Sequence, residues 1–175
     1  RLATPEWETV LDIDALAKAE DENWVYKGTA WLAPDYELCL IKLSRGGTDA
    51  SVHREFDTVA KRFVEGGFSL PEAKSGVTWL DRDGLLVGTD WGEGSLTESG
   101  YPRVAKRWKR GTPLAKATTI FQGRHEDIGI WPSVMDSGEE TIALVDQSLT
   151  FFTGAYHVIG PDGKLTSLPL QESAD

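Results

Sequence analysis

The sequence has a single cysteine in 175 residues, Cys39, so the chain cannot form an internal disulfide. Cys39 lies in an apolar, strand-like run, where we expect a buried and unreactive thiol. No apolar run approaches the roughly 20 residues that a membrane-spanning helix needs, so no membrane partner is expected. The chain begins at Arg1 without a start methionine or leader, which suggests an excised fragment and leaves the compartment of this soluble-type sequence open.

Basic residues are also scarce: 18 Lys and Arg stand against 28 Asp and Glu, which gives a formal net charge of -10. This balance argues against a nucleic-acid partner, because binding to a phosphate backbone depends on clustered Lys and Arg. The one basic cluster, Lys106–Arg110, carries Trp108 inside it. We interpret it as a solvated strand that faces acidic neighbours.

Motifs for catalysis and metal binding are missing. No serine stands in a G-x-S-x-G nucleophile elbow, and His53, His125 and His157 lack the H-E-x-x-H spacing. Isolated histidines on strands are usually packed or surface residues, although a Ser-His-Asp site assembled from distant loops is not excluded by spacing. Asp81–Gly84 starts like a calcium loop but lacks the later oxygen ligands, which favours a hairpin turn. We therefore expect no catalytic residue, metal or cofactor.

The sequence does contain a repeat of about 50 residues. Trp31, Trp79 and Trp131 are each followed by a polar turn, the third at residues 136–138, and then by a β-favouring run. Each copy continues with a second predicted strand pair: 51–56 with 62–64, 103–108 with 118–121, and 155–159 with 165–168. Four short strands per repeat predict an all-β fold of propeller blades, in which the three tryptophans start the inner strands at equivalent places. A β-sandwich with evenly spaced turns is the alternative.

The repeats divide the chain into a lead segment and three blades. Residues 1–23 are assigned to a preceding blade, as an outer strand at Trp7–Ile13 followed by a short helix that Asp14 caps. The predicted blades cover residues 24–67, 68–123 and 124–175. Because about four blades are needed to close a propeller, the array is open, and its exposed flanks predict self-association.

The segment Pro71–Ser75 joins the outer strand of one predicted blade to the inner strand of the next, where side chains can line a central channel. Glu72, Lys74 and Ser75 are therefore the candidate channel residues, and a surface ion pair between Glu72 and Lys74 is the structural alternative. The glycine-rich residues 89–100 predict a long loop on one face of the array.

Four stretches resemble the N-terminal propeller region of bacterial prolyl oligopeptidase family serine peptidases. They are LSRGGTDASVHREFD (43–57), FVEGGFSLPEAKS (63–75), LLVGTDWGEGSLTESGYPR (85–103) and WKRGTPL (108–114). The resemblance extends from about residue 7 to residue 123, and more loosely to the end.

The resemblance implies a seven-bladed propeller that caps an α/β-hydrolase domain, which cleaves short peptides after proline. Because only the propeller matches, no catalytic serine, aspartate or histidine can be assigned to this chain. The implied function is substrate gating, with the parent's own catalytic domain and an oligopeptide as partners. A stand-alone propeller or sandwich that binds a protein partner is the alternative. A glycoside hydrolase with paired carboxylates is a third possibility, but no spacing singles out a pair.

Overall fold

The structure, a computed structural model, describes residue 4, residues 6–136 and residues 140–170. Its strands form three antiparallel sheets that follow one another along the chain. The first sheet comprises β1 (Trp24–Trp31), β2 (Leu38–Arg45), β3 (Ser51–Asp57), β4 (Arg62–Phe63) and β5 (Ser69–Ala73). The second comprises β6 (Gly76–Asp81), β7 (Gly84–Gly88), β8 (Val104–Lys109) and β9 (Thr118–Gln122). The third comprises β10 (Gly129–Asp136), β11 (Thr141–Ser148), β12 (Gly154–Ile159) and β13 (Leu165–Ser167). The all-β class and the repeated antiparallel sheets are confirmed.

The order of strands within each sheet follows the chain, β1-β2-β3-β4, β6-β7-β8-β9 and β10-β11-β12-β13. β5 is the exception, because it runs back along β3 and pairs His53 with Leu70. The boundary predicted between residues 67 and 68 therefore separates β5 from the sheet in which it pairs. β6 contacts both β1 and β10, so the first strands of the three sheets lie side by side.

The sheets are held together by apolar side chains on facing surfaces. A cluster between the first and second sheets joins Leu40, Phe68 and Leu70 to Trp79, Leu85, Val87 and Trp108. A smaller cluster of Ala105, Ile130 and Val145 joins the second sheet to the third. Every residue of β7 is buried, because this strand lies between the other two sheets. Its run GLLVG is accordingly apolar without alternation, as a strand that is buried on both faces requires.

The N-terminal segment differs from the prediction. Residues 6–12 form no strand, and α1 (Ile13–Glu20) begins two residues earlier than expected. Asp12, not Asp14, caps this helix, since its side chain accepts a hydrogen bond from the Ala15 backbone at 2.9 Å. Apolar residues of α1 and the segment before it pack on the outer face of the first sheet. Alternation had suggested a strand, but these side chains gain burial by covering that face instead.

The three repeat tryptophans lie on the first strand of each sheet but do not occupy equivalent places, so that prediction is wrong. Trp31 ends β1 opposite Cys39 and is 48% exposed, whereas Trp79 lies within β6 opposite Leu85 and is 4% exposed. Trp131 is the third residue of β10, opposite Asp146. The hairpin loops differ in length, 32–37 against 82–83, so constant spacing in sequence does not give a constant position on the sheet. Residues 137 and 138 of the third predicted turn lie outside the described residues.

Cys39 is fully buried in β2, as predicted. Burial, with a smaller contribution from Glu55, raises the pKa of its thiol to about 11, so the thiol stays protonated at neutral pH. Within the described ranges, no helix is long and apolar enough to cross a membrane.

Candidate functional site

The three candidate channel residues lie where the chain leaves the first sheet and enters the second. Glu72 is in β5, and Lys74 and Ser75 form the link to β6. The structure brings them to one crossover, but it gives each of them a different set of partners.

Glu72 contributes to a surface ion-pair network. Its carboxylate lies 2.7 Å from the guanidinium of Arg45, which also binds both carboxylate oxygens of Glu22. Hydrogen bonds from Arg45 lower the pKa of the Glu22 carboxyl. Arg45 thus ties the crossover to the loop between α1 and β1, and Glu72 is held in place by it. The predicted alternative, an ion pair between Glu72 and Lys74, is replaced by this contact.

Lys74 connects the crossover to the glycine-rich loop. Its ammonium lies 4.5 Å from the centroid of the Tyr101 ring and 3.9 Å from the carboxylate of Asp49. Tyr101 in turn packs edge-on against Trp131 in the third sheet, with ring centroids 5.5 Å apart. This loop, residues 89–103, joins β7 to β8, and Lys74 helps to fix it beside the first strands of the sheets.

Ser75 is buried, and its hydroxyl lies 2.7 Å from the hydroxyl of Thr89. A longer contact of 3.5 Å reaches the carbonyl of Ala73. A nucleophilic serine needs a base within hydrogen-bond reach, whereas these partners are a hydroxyl and a carbonyl. The contact between Ser75 and Thr89 therefore links the crossover to the end of β7, and Ser75 also lines a neighbouring cleft.

A cleft of about 390 Å³ opens next to Ser75, between the first and second sheets. It is lined by residues of all three first strands, among them Gly28, Gly76 and Pro132. Among the described residues that line it, the ionisable ones are Lys27, Lys42 and His53, and none is a carboxylate. In a chain with a formal charge of -10, this is a locally basic surface.

His53 is the most buried polar group of the cleft, with 4% of its surface exposed. Its Nδ1 has no hydrogen-bond partner among the residues that the structure describes. Burial first, and then the charge of Lys42, lower the pKa of the imidazole to about 4. His53 is therefore neutral at pH 7.

This burial predicts a pH dependence of stability. The pKa of His53 is about 4 in the folded protein and near 6.5 in the unfolded chain. The stability that the protein gains from keeping this imidazole neutral is therefore fully present above pH 6.5 and is lost as the pH falls toward 4. We expect a loss of about 2 kcal/mol in the free energy of unfolding between pH 7 and pH 5. Urea unfolding of wild type and His53→Gln at both pH values tests this, since the variant should lack that part of the loss. His125→Gln, at a histidine with a 56% exposed side chain, should behave like wild type, and an equal loss in all three proteins would contradict the assignment.

The sequence reasoning missed Lys27, Lys42 and His53. A β-bulge leaves Lys27 without a register partner, while Gly28 pairs with Lys42, and Lys42 pairs with His53. Lys27 at the bulge and Lys42 beside it both line the cleft, and strand pairing of this kind is not visible in composition. One signal was present in the sequence: Lys42 interrupts the otherwise apolar run LCLIKL of β2. Lysine is rarely buried in a core strand unless its charge is paired.

Successive antiparallel sheets whose first strands lie side by side define this chain as a segment of a β-propeller. Residues 2–150 match the family model for the prolyl oligopeptidase N-terminal beta-propeller domain. The chain therefore belongs to that family.

Relatives and solved structures agree with this assignment. An uncharacterized peptidase of Sinorhizobium fredii is 40% identical over 99% of this chain and 25% of its own length. An uncharacterized peptidase of Rickettsia prowazekii is 31% identical over 72% of this chain and 19% of its own length. The structure of a post-proline cleaving enzyme from Rickettsia typhi matches 97% of the chain and 26% of its own, with a TM-score of 0.90 and 25% identity. Oligopeptidase B from Leishmania major shares the fold, with a TM-score of 0.69 at 9% identity over 94% of this chain and 22% of its own. The chain thus spans about a quarter of the length of the relatives that it matches.

Proposed function

We propose that this chain is the substrate-gating propeller segment of a serine oligopeptidase that cleaves short peptides after proline. Bond cleavage takes place in a catalytic domain of the parent protein, and the segment itself is not catalytic. The observation that carries the proposal is the match of residues 2–150 to the propeller family, in a chain with no nucleophile elbow. The first strands of the sheets then border the passage by which an oligopeptide reaches the catalytic domain.

The two outer faces of the array differ in a way that supports this proposal. The free face of the first sheet is covered by α1. The free face of the third sheet carries Met135, Ile142 and Tyr156, which are 62%, 40% and 40% exposed. Such an apolar face is expected where a further blade packs in the parent protein. Self-association of the isolated chain through this face stays a prediction.

A comparison of the chain with its parent tests the proposal. We expect the 175-residue chain to show no turnover of a proline-containing chromogenic peptide, while the full-length protein cleaves it. The reason is that, among the described residues, the hydroxyl of Ser75 contacts Thr89 and Ala73, and neither supplies a base. Turnover by the chain that survives repurification and disappears in Ser75→Ala or in Ser95→Ala, at two buried serines, would overturn the proposal.

A further inference from the structure

The cleft beside Ser75 carries positive charge without a matching negative group. Lys42 forms no ion pair with any described residue, and the ammonium of Lys27 makes only a long contact of 3.4 Å with the carbonyl of Gly47. Surface lysines in an acidic protein usually find carboxylates nearby. Two unmatched ammonium groups beside one cleft attract an anion, and the half-buried position of Lys42 reduces the screening of its charge by salt.

Buried polar groups without partners continue from the cleft along the same face of the first sheet. Ser44 lies two residues from Lys42 on β2, and Ser51 lies two residues from His53 on β3, so alternation places all four on one face. The hydroxyls of Ser44 and Ser51 and Nδ1 of His53 are buried, and none has a hydrogen-bond partner among the described residues. Buried polar atoms that remain unpaired are uncommon in folded proteins, and each calls for an explanation such as a bound water or ion.

We propose that the cleft of Lys27, Lys42 and His53 binds the carboxylate of a peptide. The half-buried Lys42 and the exposed Lys27 supply positive charge, and the imidazole of His53 offers a hydrogen bond. A carboxylate fits better than a phosphate dianion, because only one of the lysines is partly buried and no arginine fork is present in the lining. The inference rests on the proposed function only in naming a peptide as the source of the carboxylate.

The position of the cleft is suited to this ligand. Gly28, Gly76 and Pro132 come from the first strands of the three sheets, so the cleft opens where those strands converge. Gly28 adopts a φ of +126° at the bulge, a conformation that favours glycine, and a side chain added there would meet no atom within 4 Å. Backbone and space beside Lys27 and Lys42 thus remain open to a peptide end.

Isothermal calorimetry on the full-length protein tests the proposal with N-acetyl-trialanine as the free acid and as the C-terminal amide. This peptide lacks the proline that the proposed reaction requires, so binding is measured without turnover. We expect the acid to bind at least about tenfold more tightly than the amide, and Lys42→Gln to remove that difference. Lys42→Arg should retain it, and Lys27→Gln, at an exposed position, should reduce it.

The matched control is Lys164→Gln, which removes a lysine with an 86% exposed side chain in the turn after β12. This variant should bind the acid like wild type. Equal binding of acid and amide, or an acid preference that survives both Lys42→Gln and Lys27→Gln, would overturn the proposal. Tighter binding of inorganic phosphate than of the acid, lost in Lys42→Gln, would also overturn it in favour of a phosphate site. The experiment measures binding and not cleavage. A protein that prefers the acid over the amide but does not select substrates by size would therefore support the carboxylate site and contradict the gating function.

Discussion

Glu55→Ala should lower the free energy of unfolding of this chain by about 3–5 kcal/mol. Glu55 lies in β3 of the first sheet, is 2% exposed, and binds Arg110, which follows β8 of the second sheet, through two hydrogen bonds of 2.9 and 3.0 Å. It also accepts a hydrogen bond of 2.7 Å from the backbone of Phe68. Its loss leaves a partly buried guanidinium and a buried backbone N–H without their acceptor. Urea unfolding at pH 7 measures the effect.

Asp49→Ala is the matched control, because Asp49 is a 73% exposed carboxylate that lies 3.9 Å from the ammonium of Lys74. Exposed ion pairs contribute less than about 1 kcal/mol, so this variant should unfold close to wild type. Equal losses in the two variants would show that the buried pair does not join the sheets.

Trp79→Ala should also cost about 3–5 kcal/mol, because it opens a cavity between the first and second sheets. Trp79 is 4% exposed, packs edge-on against Phe68 with centroids 5.6 Å apart, and donates a hydrogen bond of 3.0 Å to the carbonyl of Ala30. One side chain thus supplies apolar area and a polar link across two sheets. Thermal and urea unfolding of the chain measure the loss.

Trp31→Ala provides the comparison at the corresponding tryptophan of the first repeat. Trp31 is 48% exposed at the end of β1, so its removal should change the free energy of unfolding by about 1 kcal/mol or less. A similar loss in both variants would mean that the two tryptophans are equivalent after all, contrary to the structure.

The repeat could be predicted because its strands are short, apolar and separated by strong turns. Asp81–Gly84 marks a hairpin that the structure contains, and the predicted strand pairs match β3 with β4, β8 with β9 and β12 with β13. The position of the tryptophans could not be predicted, because hairpin loop length decides where a residue falls on its sheet. The start of the N-terminal helix was placed two residues late, since Asp12 and Asp14 are both good capping residues and the packing of α1 decides between them.

The candidate site could be predicted only in part. The crossover of Glu72, Lys74 and Ser75 was located from the order of strands, but their partners come from distant parts of the chain, such as Arg45 and Tyr101. Long-range pairing of this kind depends on register and on the packing of one sheet against the next. The basic cleft was missed for the same reason, since a bulge in β1 and the pairing of β2 with β3 create it.

Size selection by the full-length protein tests the gating function most directly. A short proline-containing peptide and a folded protein that carries the same sequence in an exposed loop are compared as substrates by their kcat/KM values. We predict efficient cleavage of the peptide and a kcat/KM for the folded protein that is lower by at least about a hundredfold, which is some 2.7 kcal/mol in transition-state free energy. Unfolding the substrate protein beforehand should not by itself remove the size limit, whereas cutting it into short peptides should. Cleavage of the folded protein and the peptide at similar rates would contradict the proposal that this propeller segment gates access.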